Sequence, residues 1–456
     1  MEILMRFLPP DEQIDLYETG FPEDDLLGRK KISGRLSKLL ERIEDPLVIA
    51  LDGGWGTGKS YFLKRWVAEH RKVDSNKALT VYFDAFAHDY LNEPLIGLIS
   101  ALSARTPTKN NKNITALKSA AVKLIRPAVR VTLAAVSGGA TEMLGGAMAG
   151  ATSAATSDAK DAVDKFWKRE EGRHQAMLDF HSALENLTSP SKEGNSHTPL
   201  VIVIDELDRC RPDYALEVLE IIKHFFSVPH VHFVLGVNLN SLENSVTARY
   251  GPQIDATAYL QKFVSLKMTL PDQHENTHTT LLYLKKYGQQ MGLHDRLLDD
   301  LFHQTKILLR RNSISIRDAA KILSTASLLP DNLKNESAFH LRVVATTLLI
   351  TKIIRPSLFK ELVNSSISQK DFDEYFDFDK KYIEPKTSTG EYNPEFDSAL
   401  WGLYQCWQYI LTGGTPLNNQ YPTNVLSAFN QYPSNCEAKQ TPQWVNENYL
   451  NTFKLS

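Results

Sequence analysis

The chain has 456 residues, of which 42% are hydrophobic and 23% are charged, so it can form two or three domains with a large core and is not globally disordered in composition. Its net charge of −3 gives no general attraction to nucleic acid or acidic lipid, and nucleic acid is therefore not indicated as a partner. Three cysteines without a pairing pattern or metal-ligand spacing indicate structural thiols in a reducing compartment.

The N-terminal part is a polar lead-in followed by a predicted helix. Met1–Pro10 lacks the charged-then-apolar layout of a signal peptide, so we expect a cytoplasmic protein. Within Arg29–Ile43 the apolar residues recur at helical spacing, which predicts a helix that packs on a sheet.

A strand, a glycine-rich loop and a helix come next. The apolar run Leu47–Leu51 predicts a buried strand, and Tyr61–Arg71 predicts a helix. Between them the chain matches G-x-x-x-x-G-K-[ST], a loop whose glycines let backbone N–H groups point at phosphate oxygens. Lys59 would reach the β- and γ-phosphates, and the Ser60 hydroxyl would ligate Mg²⁺. We therefore expect ATP to be bound by Gly53, Gly54, Trp55, Gly56, Thr57, Gly58, Lys59, Ser60 and Tyr61.

A second strand, Ala78–Phe83, is followed by Asp84, at the edge where ligands bind in open α/β sheets. Asp84 either supports the metal site or caps the next turn, and both alternatives remain open. An apolar helix over Pro94–Leu102 follows.

A long insertion then interrupts the core. Lys59 and Asp205 are 146 positions apart, whereas a strand–helix–strand unit needs only ~30 residues. The insertion contains a polar loop over Thr106–Asn113, a helix candidate over Ile114–Val136 and a charged helix over Asp158–Leu187.

The middle of the insertion is rich in glycine and alanine. Gly146-x-x-x-Gly150 has the spacing with which membrane helices pack closely. However, Glu142 interrupts the segment Val131–Ser157, and neither half reaches the ~20 apolar residues that a membrane span needs. Three alternatives remain, in order of preference: a soluble insertion packed between subunits, an interfacial hairpin with basic flanks, and a constitutive membrane span.

A strand that ends in two acids follows the insertion. Leu200–Ile204 is apolar and mostly β-branched, which predicts a central strand of a parallel sheet. Asp205 at its end can hold Mg²⁺ through water, and Glu206 is placed to polarise the attacking water. Acids at a strand end are a weak signal alone, but together with a phosphate loop they predict a nucleotide hydrolysis site.

These two segments resemble the KAP family of P-loop NTPases. The resemblance lies in the tryptophan within Gly-Gly-Trp-Gly-Thr-Gly-Lys-Ser and in Asp-Glu-Leu-Asp-Arg-Cys at Asp205–Cys210, followed by Pro212. Three further segments are similar to the family: Asp24–Arg29, Val81–Tyr90 with Phe86 where tryptophan is commoner, and Tyr259–Pro271. The resemblance implies an ATPase core of the additional-strand type. Its relatives include phage-exclusion and defence ATPases in bacteria and membrane-anchored scaffolds in animals, and the lack of ankyrin-like repeats favours the bacterial type.

The strand Val231–Val237 ends at Asn238, which the resemblance implies as a sensor of the γ-phosphate. Family members more usually have Asp there, and a turn-forming Asn is an equal alternative. The catalytic set is therefore Lys59, Asp205, Glu206 and Asn238, and the metal ligands are Ser60 and Asp205. An arginine finger from a neighbouring subunit can come from Arg209, Arg211 or Arg249.

From Pro271 onward the composition is helical. Four segments with apolar residues three and four apart predict a helical lid: His278–Gln290, Asp295–Thr305, Ser315–Leu329 and Ala338–Ile354. Within it Arg311 or Arg317 either senses phosphate or forms a salt bridge. The rest, rich in Tyr, Asn, Gln, Pro and Trp, is an appended region without an assigned role.

We thus predict an α/β fold: a P-loop NTPase parallel sheet of the additional-strand type, with a helical lid and an inserted Gly/Ala-rich segment. The predicted boundaries are 1–105 and 199–271 for the core, 106–198 for the insertion, 272–384 for the lid and 385–456 for the appended region. The predicted function is hydrolysis of ATP with Mg²⁺ to drive a conformational or assembly change in bacterial phage defence. Further expectations are a homo-oligomer, a separate effector protein, and a cytoplasmic location, either free or at the inner face of the membrane through 131–157. The alternative is a membrane-associated scaffold or interaction module that binds nucleotide with little turnover.

Overall fold

The computed structural model divides the chain into two compact units. The first comprises Ile14–Gly54 and Gly58–Leu270, and the second comprises Pro271–Ser456 with Met1–Gln13 and Trp55–Thr57. The structure describes residues 6–9, 13–25, 27–72, 78–106, 111–124, 159–190, 197–271, 273–274, 277–330, 333, 339–378, 398–414 and 437–451.

A parallel five-stranded sheet forms the centre of the first unit. Its strands are β1 (Leu47–Asp52), β2 (Leu79–Asp84), β3 (Leu200–Asp205), β4 (Val231–Val237) and β5 (Leu266–Thr269). Their order across the sheet is β2-β3-β4-β1-β5, and all neighbouring pairs are parallel. Because β4 separates β1 from β3, one strand lies between the strand that precedes the phosphate loop and the strand that ends at Asp205. This order confirms the predicted α/β fold with an additional strand.

The central strands β3 and β4 are buried on both faces, which is why they are continuously apolar. Along β3, Ile202 and Ile204 join one hydrophobic core, whereas Val201 and Val203 join another on the opposite face. The helices of this unit are α1 (Arg29–Leu40), α2 (Lys59–Lys72), α3 (Ala85–His88), α4 (Pro94–Arg105), α5 (Asn111–Leu124), α6 (Ala159–Thr188), α7 (Pro212–Phe225), α8 (Leu239–Tyr250) and α9 (Ala256–Leu260), with a 3₁₀ turn at Leu207–Arg209.

The described ends of the insertion are two helices that belong to the core. α5 packs against α6, and Leu117 and Phe180 lie in the same hydrophobic core as Ile202. α5 begins at Asn111, so the prediction of a polar loop over Thr106–Asn113 was wrong for residues 111–113, which are helical. The segment 131–157, on which the membrane alternatives depend, lies outside the described residues.

The second unit is helical. Its elements are the two-stranded hairpin β6 (Gln273–His274) and β7 (Thr277–His278), then α10 (Thr279–Gln290), α11 (Asp295–Leu308), α12 (Ile316–Ala326), α13 (Phe339–Ile354), α14 (Pro356–Val363), α15 (Gln369–Phe376), α16 (Ser398–Leu411) and α17 (Thr441–Val445), with a 3₁₀ turn at Ala438–Gln440 and a π-helical turn at Asn446–Leu450. The four predicted lid helices are thus confirmed as helices. α16 comes from the C-terminal region. The ring centroid of its Trp407 lies 5.3 Å from that of Phe372 in the core of this unit. Within the described ranges, no helix has the length and apolar character needed to cross a membrane.

Candidate functional site

The carboxyl ends of the parallel strands bring the predicted acids together. Asp84 on β2 is in register with Asp205 on β3, and Asp205 is in register with Gly236 on β4. Asp52, the last residue of β1, pairs with Val237 at the end of β4. Since parallel strands end at the same edge, acids that are far apart in the chain, such as Asp52 and Asp205 at a separation of 153 positions, meet at one edge of the sheet.

The loop after β1 has the backbone that its glycines predict. Gly56 and Gly58 have φ angles of 83° and 87°, in the left-handed region that glycine adopts without a Cβ clash. α2 begins directly after the loop, at Lys59. The loop therefore ends at a helix N-terminus, where backbone N–H groups without helical partners are available to an anion.

Lys59 is buried and folds back over the loop. Its Nζ donates to the carbonyl oxygen of Gly53 at 2.6 Å and to that of Gly54 at 3.0 Å. Burial lowers the pKa of Lys59, while the nearby carboxylates of Asp208 and Asp205 oppose the decrease. The cation is thus held at the loop that would receive the phosphates.

Asp205 is 1% exposed, and both of its carboxylate oxygens accept hydrogen bonds. Oδ2 accepts from the Tyr82 hydroxyl at 2.7 Å, and Oδ1 accepts from the Glu206 backbone N–H at 2.9 Å. Burial raises the pKa of Asp205, and the hydrogen bond from Tyr82 and the nearby Ser60 hydroxyl oppose that increase. The same burial, together with the Asp205 charge, raises the pKa of the Tyr82 hydroxyl, so it remains a donor.

Glu206 adopts a conformation that is rare for a residue with a side chain. Its φ of 59° and ψ of 27° place it in the left-handed region, where a non-glycine residue costs of order 1–3 kcal/mol and is typical of functional sites. Its Oε1 lies 3.0 Å from Arg209 Nη2. Burial raises the pKa of Glu206, and the Arg209 guanidinium opposes the increase. The strained backbone therefore aims the carboxylate away from the strand, into an ion pair.

The two polar residues with alternative interpretations both cap helices. Asp84 Oδ1 accepts from the Ala87 N–H at 2.9 Å at the start of α3, and Asn238 Oδ1 accepts from the Ser241 N–H at 3.4 Å at the start of α8. Asp84 is also close enough to Asp205 for its charge to contribute to the raised pKa of Asp205. Capping thus occupies one oxygen of each side chain.

The candidate arginines differ in their partners. Arg209 pairs with Glu206, and the Arg211 guanidinium donates to the Asp89 carbonyl at 2.6 Å. Arg249, near the end of α8, is exposed.

In the helical unit, Arg311 forms a salt bridge, one of its two predicted roles. Its Nη2 lies 2.5 Å from Asp377 Oδ1, and its Nη1 donates to the Glu374 carbonyl at 3.1 Å.

The residues present fit Mg²⁺ and a nucleotide. Ser60 and Asp205 offer the hydroxyl and carboxylate oxygens that a hard cation prefers. The space around the Asp205 carboxylate depends on glycine at 236, because a Cβ there would lie 2.4 Å from Asp205 Oδ1 and 2.5 Å from Leu63 Cδ1. The part of the chain that the structure describes holds no group of three or more His, Cys, Asp or Glu side chains suited to a metal. With only these two protein oxygens, a bound Mg²⁺ would complete its coordination with phosphate oxygens and water.

Three residues of this site were not found by sequence reasoning: Tyr82, Gly236 and Asp52. Asp52 Oδ1 accepts from the Leu239 N–H at 2.9 Å, and its Oδ2 pairs with Lys267 Nζ at 2.6 Å, so it ties β1 to α8 and β5. Their position in the sequence could have indicated them, because each lies within two residues of the carboxyl end of a predicted strand, where ligands bind in such sheets.

Comparison with known proteins identifies the family of the P-loop domain. The family model described as KAP family P-loop domain matches residues 29–340, about two thirds of the chain. Two solved structures of the Aeropyrum pernix ORC2 protein are similar at 12% sequence identity and a TM-score of 0.33. The match to its ADPNP-ADP complexes covers 87% of this chain and 98% of that one, and the match to its ADP form covers 88% and 99%. A comparison with curated proteins found no match.

Proposed function

This chain belongs to the KAP family of P-loop NTPases, and from that premise we propose that it binds ATP with Mg²⁺ and hydrolyses the γ-phosphate bond. The observation that carries the proposal is the position of the Lys59 ammonium group: it donates to the carbonyl oxygens of Gly53 and Gly54 in the phosphate loop, and the Asp205 carboxylate is close enough to influence its pKa. Lys59 and Ser60 begin α2 and Asp205 ends β3, and together they supply the cation, the hydroxyl and the carboxylate that phosphoryl transfer requires.

ATP binding uses the loop and Lys59. Backbone N–H groups at the N-terminus of α2 donate to phosphate oxygens. The Lys59 ammonium group, now bonded to the carbonyls of Gly53 and Gly54, exchanges those partners for β- and γ-phosphate oxygens. Ser60 and Asp205 would hold Mg²⁺, which when bound neutralises negative charge on the phosphates.

Glu206 takes the proton of the attacking water. It follows Asp205 directly, and its backbone conformation directs its side chain out of the strand. In the structure its carboxylate is paired with Arg209, so water activation requires the carboxylate to face the water as well as the guanidinium. Asn238, at the end of β4, would contact the γ-phosphate with the part of its side chain that the helix cap leaves available.

The products then drive a change in shape or assembly. We propose that the chain forms a homo-oligomer in which Arg249 reaches the site of the neighbouring subunit, since Arg209 and Arg211 have partners within their own chain. A bacterial phage-defence role with a separate effector follows the type of relative that the sequence resembles. Attachment to the inner face of a membrane through 131–157 remains a prediction.

The experiment that tests the activity compares Glu206→Gln with the parent chain. The amide keeps the volume of the side chain but cannot accept a proton, and it leaves Lys59, Ser60 and Asp205 in place. ATP affinity measured by calorimetry should be nearly unchanged, while steady-state phosphate release falls by about 10²-fold or more. Hydrolysis at the parent rate in Glu206→Gln would show that Glu206 is not the base.

One observation favours a second candidate function. The ion pair between Glu206 and Arg209 engages the proposed base, as expected of a module that binds ATP and turns it over slowly. The same assay separates the two functions. A parent chain that binds ATP tightly but releases no phosphate above the rate without protein is an interaction module.

A further inference from the structure

Tyr82 connects the edge of the sheet to the carboxylate at the centre of the site. Its hydroxyl donates to Asp205 Oδ2 at 2.7 Å, from β2 to the neighbouring β3. β2 is an edge strand, so the N–H of Tyr82 that points away from β3 has no neighbouring strand to bind. It donates instead to the Tyr17 hydroxyl at 2.9 Å. Tyr82 is therefore fixed at both its backbone and its side chain.

The direction of the Tyr82–Asp205 hydrogen bond is set by chemistry. An ionised carboxylate only accepts hydrogen bonds, so the tyrosine O–H must be the donor. Such charge-assisted bonds are short and about twice as strong as neutral ones. With Glu206 N–H on Oδ1 and Tyr82 on Oδ2, the plane of the Asp205 carboxylate cannot rotate without losing a bond.

We propose that Tyr82 is a positioning residue for Mg²⁺: it holds the Asp205 carboxylate in the orientation in which that group and Ser60 receive the cation. The proposal rests on the proposed function of the site. Tyr82 does not touch the nucleotide or the cation in this role, because its hydroxyl acts through Asp205. Outer partners of a metal-binding group typically contribute 10–100-fold to metal affinity.

Tyr17 provides a matched control within the same chain of contacts. Its hydroxyl binds the backbone of Tyr82, and the Arg105 guanidinium stacks over its ring at 3.8 Å. Tyr17→Phe keeps that stacking and removes one hydroxyl near Tyr82, as Tyr82→Phe does at Asp205. The two variants therefore differ in whether the lost hydroxyl contacts the metal-binding carboxylate.

The experiment measures binding of the non-hydrolysable analogue adenylyl imidodiphosphate to the full chain over a series of free Mg²⁺ concentrations. The parent and Tyr17→Phe should reach half-maximal Mg²⁺-dependent binding at the same Mg²⁺ concentration. Tyr82→Phe should need at least ~10-fold more Mg²⁺. In EDTA all three should bind the analogue equally, because the phosphate loop is intact, and this arm also shows that the variant is folded.

Each other outcome overturns the proposal. A Tyr82→Phe curve that coincides with the Tyr17→Phe curve means that the hydroxyl does not position the carboxylate. A Tyr82→Phe chain that binds more weakly than the parent in EDTA has a disturbed phosphate loop and no specific role at the metal. A parent chain that binds no analogue at any Mg²⁺ concentration overturns the proposed function and this inference with it.

Discussion

Acidification should destabilise the nucleotide-binding unit through two buried histidines. His70 on α2 is 1% exposed and His232 on β4 is 0% exposed. Burial lowers the pKa of each imidazole to about 4, because the charged form loses its hydration. The charge of a neighbouring histidine lowers the pKa further: that of His232 acts on His70, and that of His230 acts on His232. In an unfolded chain each pKa would be ~6.5.

The sign of the effect follows from these values. Between pH 6.5 and 4 the unfolded chain binds protons that the folded chain does not, so the free energy of unfolding falls as the pH falls. The contribution of each neutral, buried histidine to the free energy of unfolding is complete above pH ~6.5 and is lost as the pH approaches 4. At ~1.36 kcal/mol per pH unit, this contribution is about 3 kcal/mol per histidine, of which about 2 kcal/mol is already lost at pH 5.

Urea unfolding at pH 7.5 and pH 5.0 measures this loss. Tryptophan fluorescence is a suitable signal, because the Trp66 ring stacks on His70 at 5.2 Å. His232→Gln should lose about 2 kcal/mol less than the parent between the two pH values. His174→Gln, on an exposed position of α6, is the matched control and should lose as much as the parent. Equal unfolding free energies of the parent at both pH values, or an undiminished loss in His232→Gln, would refute the reasoning.

Two further predictions concern the site and the assembly. Gly236→Ala should lower stability by about 1–3 kcal/mol and weaken Mg²⁺-dependent ATP binding, because the new Cβ would lie 2.4 Å from Asp205 Oδ1. Thermal melts and calorimetry measure the two effects. The control Gly34→Ala, whose Cβ meets nothing within 4 Å, should neither lower stability nor weaken Mg²⁺-dependent ATP binding. Lys59→Ala should abolish tight ATP binding, and Arg249→Ala should bind ATP without hydrolysing it. When these two variants are mixed, phosphate release should recover, because the Arg249→Ala subunit supplies an intact nucleotide site and the Lys59→Ala subunit supplies the arginine. If phosphate release does not recover in a demonstrated oligomer, Arg249 does not act on the site of a neighbouring subunit.

The local parts of the site could be predicted from the sequence. An apolar run followed by glycines at fixed spacing determines a strand, a tight loop and a helix, and the structure confirms this order from Leu47 to Lys72. Likewise the β-branched run Leu200–Ile204 and the acid after it predict a buried strand with its end at the sheet edge, as found. Both signals are continuous in the chain, so side-chain period and backbone preference suffice to recognise them.

Other features could not be read from local pattern. Asp84 and Asn238 each had two interpretations, and only the structure shows that each caps a helix. The predicted loop over Thr106–Asn113 is shortened by a helix that begins at Asn111 and packs on α6, so tertiary packing overrode local polarity.

The sequence by itself determined which segments form the candidate site, because the phosphate-loop motif and the acidic strand end are each continuous in the chain. Only the tertiary structure decided which groups orient them. Tyr82 and Asp205 are 123 positions apart and meet because β2 pairs with β3. Gly236 faces Asp205 because β4 lies between β1 and β3. A continuous apolar run shows that a strand is buried on both faces, but it does not show which strands are its neighbours or in which register they pair.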